Sequence, residues 1–164
     1  MRVRQPKNKS EIHFTVYGDA IPKARARVVA NKKNDKSAGT HAFTPKTTVE
    51  WEASVFGQSL ASKPDVPWTG GVALGVLFFK KIPSGKRKKF DNSNGMLRPV
   101  GARDDYDNLI KAIKDALNGI YWLDDGQIVE YIQVEAEGKL LNPGKYYSHT
   151  PRVEILVRFL ENIS

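Results

Sequence analysis

The 164-residue chain contains no cysteine, which excludes disulfides, thiolate zinc sites and a cysteine nucleophile together. Histidine is nearly as scarce: His13, His41 and His149 lie far apart, and none has a partner at metal-ligand spacing. Any metal ion must therefore rest on oxygen ligands. No stretch approaches the roughly 18 consecutive apolar residues that a membrane helix needs. The basic start M-R-V-R-Q-P-K-N-K-S is followed by no apolar signal-peptide core and no small-residue cleavage site. These absences predict a soluble, cytoplasmic protein with no membrane partner. Internal repeats are absent too, and the length predicts one domain over residues 1–164.

What is present points to a folded, basic protein. The hydrophobic fraction is 40%, with seven Phe, six Tyr and three Trp, enough for a real core. The formal net charge is +8, and it is unevenly spread: residues 1–103 hold 20 Lys+Arg against 7 Asp+Glu, whereas residues 104–164 hold 6 against 11. A basic excess of this size fits nucleic acid, an anionic membrane surface or plain solubility, and charge alone does not choose among them.

Residues 11–17, E-I-H-F-T-V-Y, alternate Ile12, Phe14 and Val16 on one face and predict a half-buried strand. A basic segment with Lys23, Arg25 and Arg27 follows, then a polar loop. Thr44-Pro45 predicts a helix start, with the helix running to about residue 61 and a face of Val49, Ala53 and Phe56, widened by Trp51, Val55 and Leu60, packed on a sheet. The run V-A-L-G-V-L-F-F after Gly70-Gly71 predicts a buried strand. Residues 80–103 are rich in Lys, Arg, Pro, Gly and Asn, including Lys86, Arg87, Lys88, Lys89 and Arg103, and predict a long mobile loop. Leu109, Ile113 and Leu117, with Ile110 and Ala116, predict a helix from Asp105 that Gly119 ends. Residues 128–136 and 153–159 predict two further strands. The order strand, helix, strand, helix, strand, strand predicts an α+β domain: a mixed sheet with two helices packed on it, and a flexible basic start over about residues 1–10.

Five of the acidic residues form two tight clusters within residues 103–127, R-D-D-Y-D-N-L-I-K-A-I-K-D-A-L-N-G-I-Y-W-L-D-D-G-Q. Taken singly, each has a structural explanation. Asp104, Asp105 and Asp107 sit at a helix N-terminus, where carboxylates cap N–H groups, and Asp124-Asp125-Gly126 resembles a turn. Taken together they suggest more. The predicted helix of about 14 residues is roughly 20 Å long, so the second pair reaches the first only if the chain after Gly119 doubles back. If it does, several carboxylates face one point, and oxygen-only ligation selects Mg²⁺ or Mn²⁺. Lys111, one turn beyond Asp107 on the outer face, completes a set suited to metal-assisted phosphodiester hydrolysis.

The motifs D-x-D-N-L-x-K, D-A-L-N-G and W-L-D-D-G-Q-I-V closely resemble the signature of the RusA family of Holliday junction resolvases, found in phages and prophages. G-D-A-I-P-K-A-R-A-R and F-T-P-K-T-T-V-E-W-E are similar to further segments of that family, so most of the chain is covered. The resemblance implies a Mg²⁺- or Mn²⁺-dependent homodimer that cuts opposed strands of a four-way DNA junction. Asp105, Asp107 and Asp125 correspond to its catalytic metal-binding aspartates, with Asp124 beside them, and Lys111 to its catalytic lysine. Lys23, Arg25, Arg27, Lys86, Arg87, Lys88, Lys89 and Arg103 are the expected phosphate contacts, with a solvated surface as the alternative. Asp104 stands where many members carry proline, and Ala24 and Ala26 replace the usual Gly and Pro; no ligand is lost by either. A non-catalytic junction-binding protein is the competing expectation. The strand at 72–79 and the neighbourhood of Tyr121 and Trp122 are candidate dimer contacts, with burial in the core as their alternative.

Overall fold

The computed structural model describes residues 10–24, 27–30, 40–43, 45–101 and 105–161. Its frame is a five-stranded mixed sheet. The edge strand β1 (Glu11–Tyr17) pairs antiparallel with β9 (Arg152–Phe159), and β9 pairs antiparallel with the central β4 (Val72–Lys81). The other side of β4 is shared by two parallel partners: β5 (Ile128–Tyr131) along its first half and β8 (Gly144–Ser148) along its second. Two small antiparallel pairs complete the strands among the described residues, β2 (Arg27–Ala30) with β3 (Thr40–Phe43) and the hairpin of β6 (Val134–Ala136) with β7 (Lys139–Leu141).

The alternation in β1 and β9 divides the two faces. Ile12, Phe14, Val16, Val153, Ile155 and Val157 point to the face covered by α1 (Lys46–Ser59) and α3 (Tyr106–Leu117). Leu77, Phe79 and Leu156 point to the other, where the β6–β7 hairpin lays Val134 and Ala136 over them. Gly75 makes that crossing possible. The chain leaving β5 passes so close that a Cβ there would overlap the Val134 side chain and lie 2.7 Å from the Ile132 carbonyl oxygen.

The expected α+β class and the mixed sheet with α1 and α3 packed on it are present, with more pieces than the periodicity indicates. The strand expected over 128–136 is two strands with a bend at Ile132 and Gln133, which crosses over Gly75 of β4, and the connection expected after it holds β7 and β8. The stretch expected as a featureless loop contains a 3-10 turn (Ser84–Lys86) and the short helix α2 (Arg87–Asp91). The expected helix cap Thr44 lies outside the described residues, as does the basic start 1–9; Pro45 directly precedes α1 and makes no side-chain cap.

One expectation is reversed. α1 turns Trp51, Val55, Thr48 and Ser59 inward, while Val49, Ala53, Phe56 and Leu60 face solvent. Both stripes are apolar, so periodicity alone does not choose between them. The larger Trp51 ring takes the inside, in contact with the backbone at Gly18, whose φ of +131° is a conformation that favours glycine. The strand at 72–79 and the Tyr121–Trp122 pair are core: both aromatics are fully buried, Tyr121 stacks on Phe14 at 5.3 Å, and its hydroxyl donates to the Ser59 carbonyl at 2.7 Å. Burial raises the Tyr121 phenol pKa above its ordinary value. No helix among the described residues is long and apolar enough to cross a membrane.

Candidate active site

α3 is the element that positions the first acidic cluster. Leu109, Ile110, Ile113, Ala116 and Leu117 bury one face, so Asp107 and Lys111 project from the other, both exposed. Asp105 is the N-cap: its Oδ1 accepts the Asp107 backbone N–H at 2.8 Å. Tyr106, between the two aspartates, fixes where the helix begins. Its ring meets Phe78 edge-on at 5.6 Å and its hydroxyl donates to the Val76 carbonyl at 3.1 Å. Burial, followed by the fields of Tyr131, Tyr146 and Asp107, raises its pKa, so the phenol stays a proton donor. Tyr106 falls three residues before Leu109, on the apolar stripe, which is the sequence signal for this anchoring role. Lys114 is half-buried and lies 3.4 Å from the Tyr131 hydroxyl across on β5.

The second acidic pair lies elsewhere. β4, α3 and β5 form a parallel strand–helix–strand crossover, so α3 runs back against β4 from the level of Val76–Phe78. The turn after it is held beside the start of β4, with Trp68 N–H donating to the Tyr121 carbonyl at 3.0 Å and Gln127 Nε2 to the carbonyls of Trp68 and Gly70. Asp124 caps a 3-10 turn reciprocally with Gln127, and the Trp122 indole N–H donates to Asp125 at 3.3 Å. α3, whose 12 residues separate the Asp105 cap from the turn that carries Asp124 and Asp125, is about 18 Å long. The fold-back needed to join four carboxylates within one chain does not occur, and among the described residues no group of three or more metal-capable side chains is assembled.

The basic residues divide as well. Lys86, Arg87, Lys88 and Lys89 are all exposed around α2. That helix is fastened to β8 by Phe90, 6.4 Å from Tyr147 and 5.8 Å from His149, and by Asp91, 3.2 Å from His149. Since Tyr147 pairs with Lys80, α2 sits at the C-terminal end of β4, the end from which the chain enters α3. Arg98, stacked on Tyr146 with its guanidinium 3.7 Å from the ring centre, borders the same region. Lys23 is not free for phosphate: it bridges Glu52 of α1 at 2.6 Å and Asp115 of α3 at 3.1 Å. Partial burial lowers its pKa, but those two partners raise it by more, leaving the ammonium above its ordinary value. Arg25, Arg103 and Asp104 lie outside the described residues, and Arg27 begins β2.

Residues 18–158 match the endodeoxyribonuclease RusA family, a span that includes β4, α2, α3 and both acidic clusters. The chain belongs to that family. A relative in Bacillus subtilis (strain 168), the uncharacterized protein YqaN, is 32% identical over 151 residues, covering 90% of this chain and 95% of YqaN. RusA membership places the activity in the endodeoxyribonuclease class. Asp105, Asp107 and Lys111 are presented together at the start of α3, while the exposed cations of α2 stand at the C-terminal end of β4, where Phe90 shares a cleft with Phe79 and Tyr146 of the hairpin-covered face.

Proposed function

We propose that the protein is a divalent-metal-dependent endodeoxyribonuclease that resolves four-way DNA junctions by paired symmetric nicks as a homodimer, in recombination and repair or in phage DNA processing. One observation carries this reading. The exposed carboxylates of Asp105 and Asp107, Lys111 one turn further on, and the exposed cations of α2 all belong to the end of β4 from which the crossover departs. Ligands of parallel strand–helix–strand units bind at that end of the strands.

The residues fit Mg²⁺, with Mn²⁺ as a substitute. Mg²⁺ retains several waters and needs only one or two carboxylates plus substrate phosphate, and Asp105 and Asp107 supply two. The cap bond occupies one oxygen of Asp105 and leaves the other, with both of Asp107, without a partner among the described residues. Bound there, the ion would supply an acidified water and Lewis-acid stabilisation of the phosphate. The chain does the rest. The N–H groups and dipole at the start of α3 favour a phosphate oxygen. Lys111 places a cation where negative charge develops on the phosphoryl group. Lys86, Arg87, Lys88 and Lys89 hold the backbone of the DNA arm, with Arg25, Arg27 and Arg103 as further contacts.

Asp124 and Asp125 enter the reading differently. Because α3 separates them from Asp105 and Asp107 along one chain, Asp125 serves the same ion only from a second subunit. Mixing Asp107→Asn with Asp125→Asn protein tests this: restored cleavage in mixed dimers places the two residues in different composite sites, and no restoration confines the site to one chain. Asp105 as helix cap and Asp124 as turn cap also favour a second reading, a protein that grips junctions without cutting them. Tight junction binding with every strand left intact in both Mg²⁺ and Mn²⁺ would establish it.

A further inference from the structure

A cleft of about 90 Å³ lies along β8, between the loop that follows α2 and the β6–β7 hairpin. At about 10 to 15 Å³ for each water-sized group, it has the size of one heterocyclic ring. Its lining is aromatic, with Phe79, Phe90, Tyr146 and Tyr147. Two of these rings are pinned: Arg98 lies over Tyr146 at 3.7 Å, Arg152 lies over Phe79 at 4.0 Å, and the rings themselves are 5.6 Å apart at 33°. A flat ligand that meets such a preorganised surface immobilises few side chains. Asn94, from the loop, and Glu137, from the hairpin, also line the cleft, and they are the two non-glycine residues at positive φ among the described residues, at 53° and 54°. Backbone held in that conformation clusters at ligand sites. Glu137 is not the residue its turn favours, since a tight hairpin with positive φ at both central positions prefers Asn-Gly or Gly-Gly. Nor does Arg152 require it, because Glu154 already bridges that guanidinium at 2.9 Å. The Glu137 carboxylate meets Arg152 through one oxygen at 3.2 Å and keeps the other for a ligand.

We propose that this cleft takes one unpaired base of the bound DNA, held against the aromatic rings with its hydrogen-bonding edge toward Glu137. Charge complementarity supports a nucleotide over an uncharged ring compound. Arg87, one turn before Phe90 on α2, and Lys139, on β7 across the cleft, are both exposed. A ring site between two cations matches the repeat of a polynucleotide, in which a flat base lies between two phosphates. Base–aromatic stacking of this kind tolerates any sequence. Extruding a base costs least where it is already unpaired, so the cleft favours branched or distorted DNA over intact duplex. The proposal rests on the DNA-binding part of the function proposed above, and it adds a base contact to a surface otherwise read as contacting phosphate alone. The cleft and the start of α3 belong to opposite faces of the sheet, so the base contact is separate from the carboxylates.

The test is fluorescence anisotropy in EDTA with two labelled duplexes, one carrying a single bulged adenine and the other an abasic residue at the same bulge. The parent should bind the adenine bulge about ten-fold more tightly. Tyr147→Leu and Glu137→Gly should each shrink that ratio by about three-fold or more while binding the abasic duplex as the parent does. A variant that only loosens α2 would weaken both duplexes alike and leave the ratio unchanged. Glu137→Gly suits the positive φ of its turn, so its melting temperature should equal or exceed that of the parent, which keeps the test valid if the Tyr147 variant folds poorly. Equal binding of the two duplexes by the parent, or a ratio unchanged in Glu137→Gly, would overturn the proposal. The outcomes separate from those of the nuclease reading. A protein that distinguishes the duplexes but never cuts a junction defeats only the nuclease; one that cuts junctions and binds both duplexes alike defeats only the base site.

Discussion

Replacing Lys88 and Lys89 with alanine should remove about two units from the salt slope of junction binding. α2 docks through Phe90 against Tyr147 and His149. At about 100° per residue, Lys88 lies nearly opposite Phe90, Lys89 next to it, and Lys86 on the docked side. Lys88 and Lys89 are therefore the cations best aimed at an approaching DNA arm. Each phosphate that a lysine no longer neutralises lowers the slope of log affinity against log salt by about 0.9, so the slope of the double variant should fall by about 1.8. Between about 50 and 200 mM salt the parent should then weaken by about 12-fold more than the variant. The assay is fluorescence anisotropy of a labelled four-way junction in EDTA, so that binding is read without cleavage. Phe90→Ala is the control. It keeps every charge and loosens only the docking, so it should weaken binding while leaving most of the slope. An unchanged slope in the double variant would refute the reasoning and make α2 a solvated surface.

Three further outcomes follow from the fold. Gly75→Ala should destabilise the chain by about 3 kcal/mol in urea unfolding, because the added methyl meets Val134 and the Ile132 backbone, which moves only with the β5–β6 bend. Tyr121→Phe should cost about 1 kcal/mol by leaving the buried Ser59 carbonyl without its donor. Lys23→Met should cost about 2 kcal/mol at neutral pH by stranding Glu52 and Asp115. The parent's advantage over that variant should be complete below the unfolded lysine value of 10.5 and shrink as pH rises through the higher folded one; a gap in melting temperature that persists unchanged to strongly alkaline pH would contradict the bridge.

The parts of the fold that local chemistry specifies were legible in the sequence. β1, β4 and β9 show their alternation or apolar run, and α3 shows its stripe, its Asp105 cap and its stop at Gly119, whose φ of +85° suits glycine. The parts set by long-range pairing were not. β8 has no clear alternation and exists because it lies along the second half of β4. The β6–β7 hairpin turns on Glu137 and Gly138, both at positive φ, and glutamate gives little warning of that conformation. α1 carries two apolar stripes, and only tertiary packing decides which is inside. The site divides in the same way: the outward set of Asp105, Asp107 and Lys111 follows from helical spacing, whereas the position of Asp124 and Asp125 depends on β5 pairing parallel to β4, which puts the turn before it at the far end of α3.

The most direct measurement is the cutting of a synthetic four-way junction, with linear duplex and fork DNA as controls, by the parent protein and by Asp107→Asn. Paired symmetric nicks in Mg²⁺, lost in EDTA and reduced at least about 100-fold in Asp107→Asn while junction binding persists, are the predicted result. Cleavage that survives Asp107→Asn unchanged, or a parent protein that leaves the junction intact with either metal, would contradict the assignment of the start of α3 as the catalytic centre.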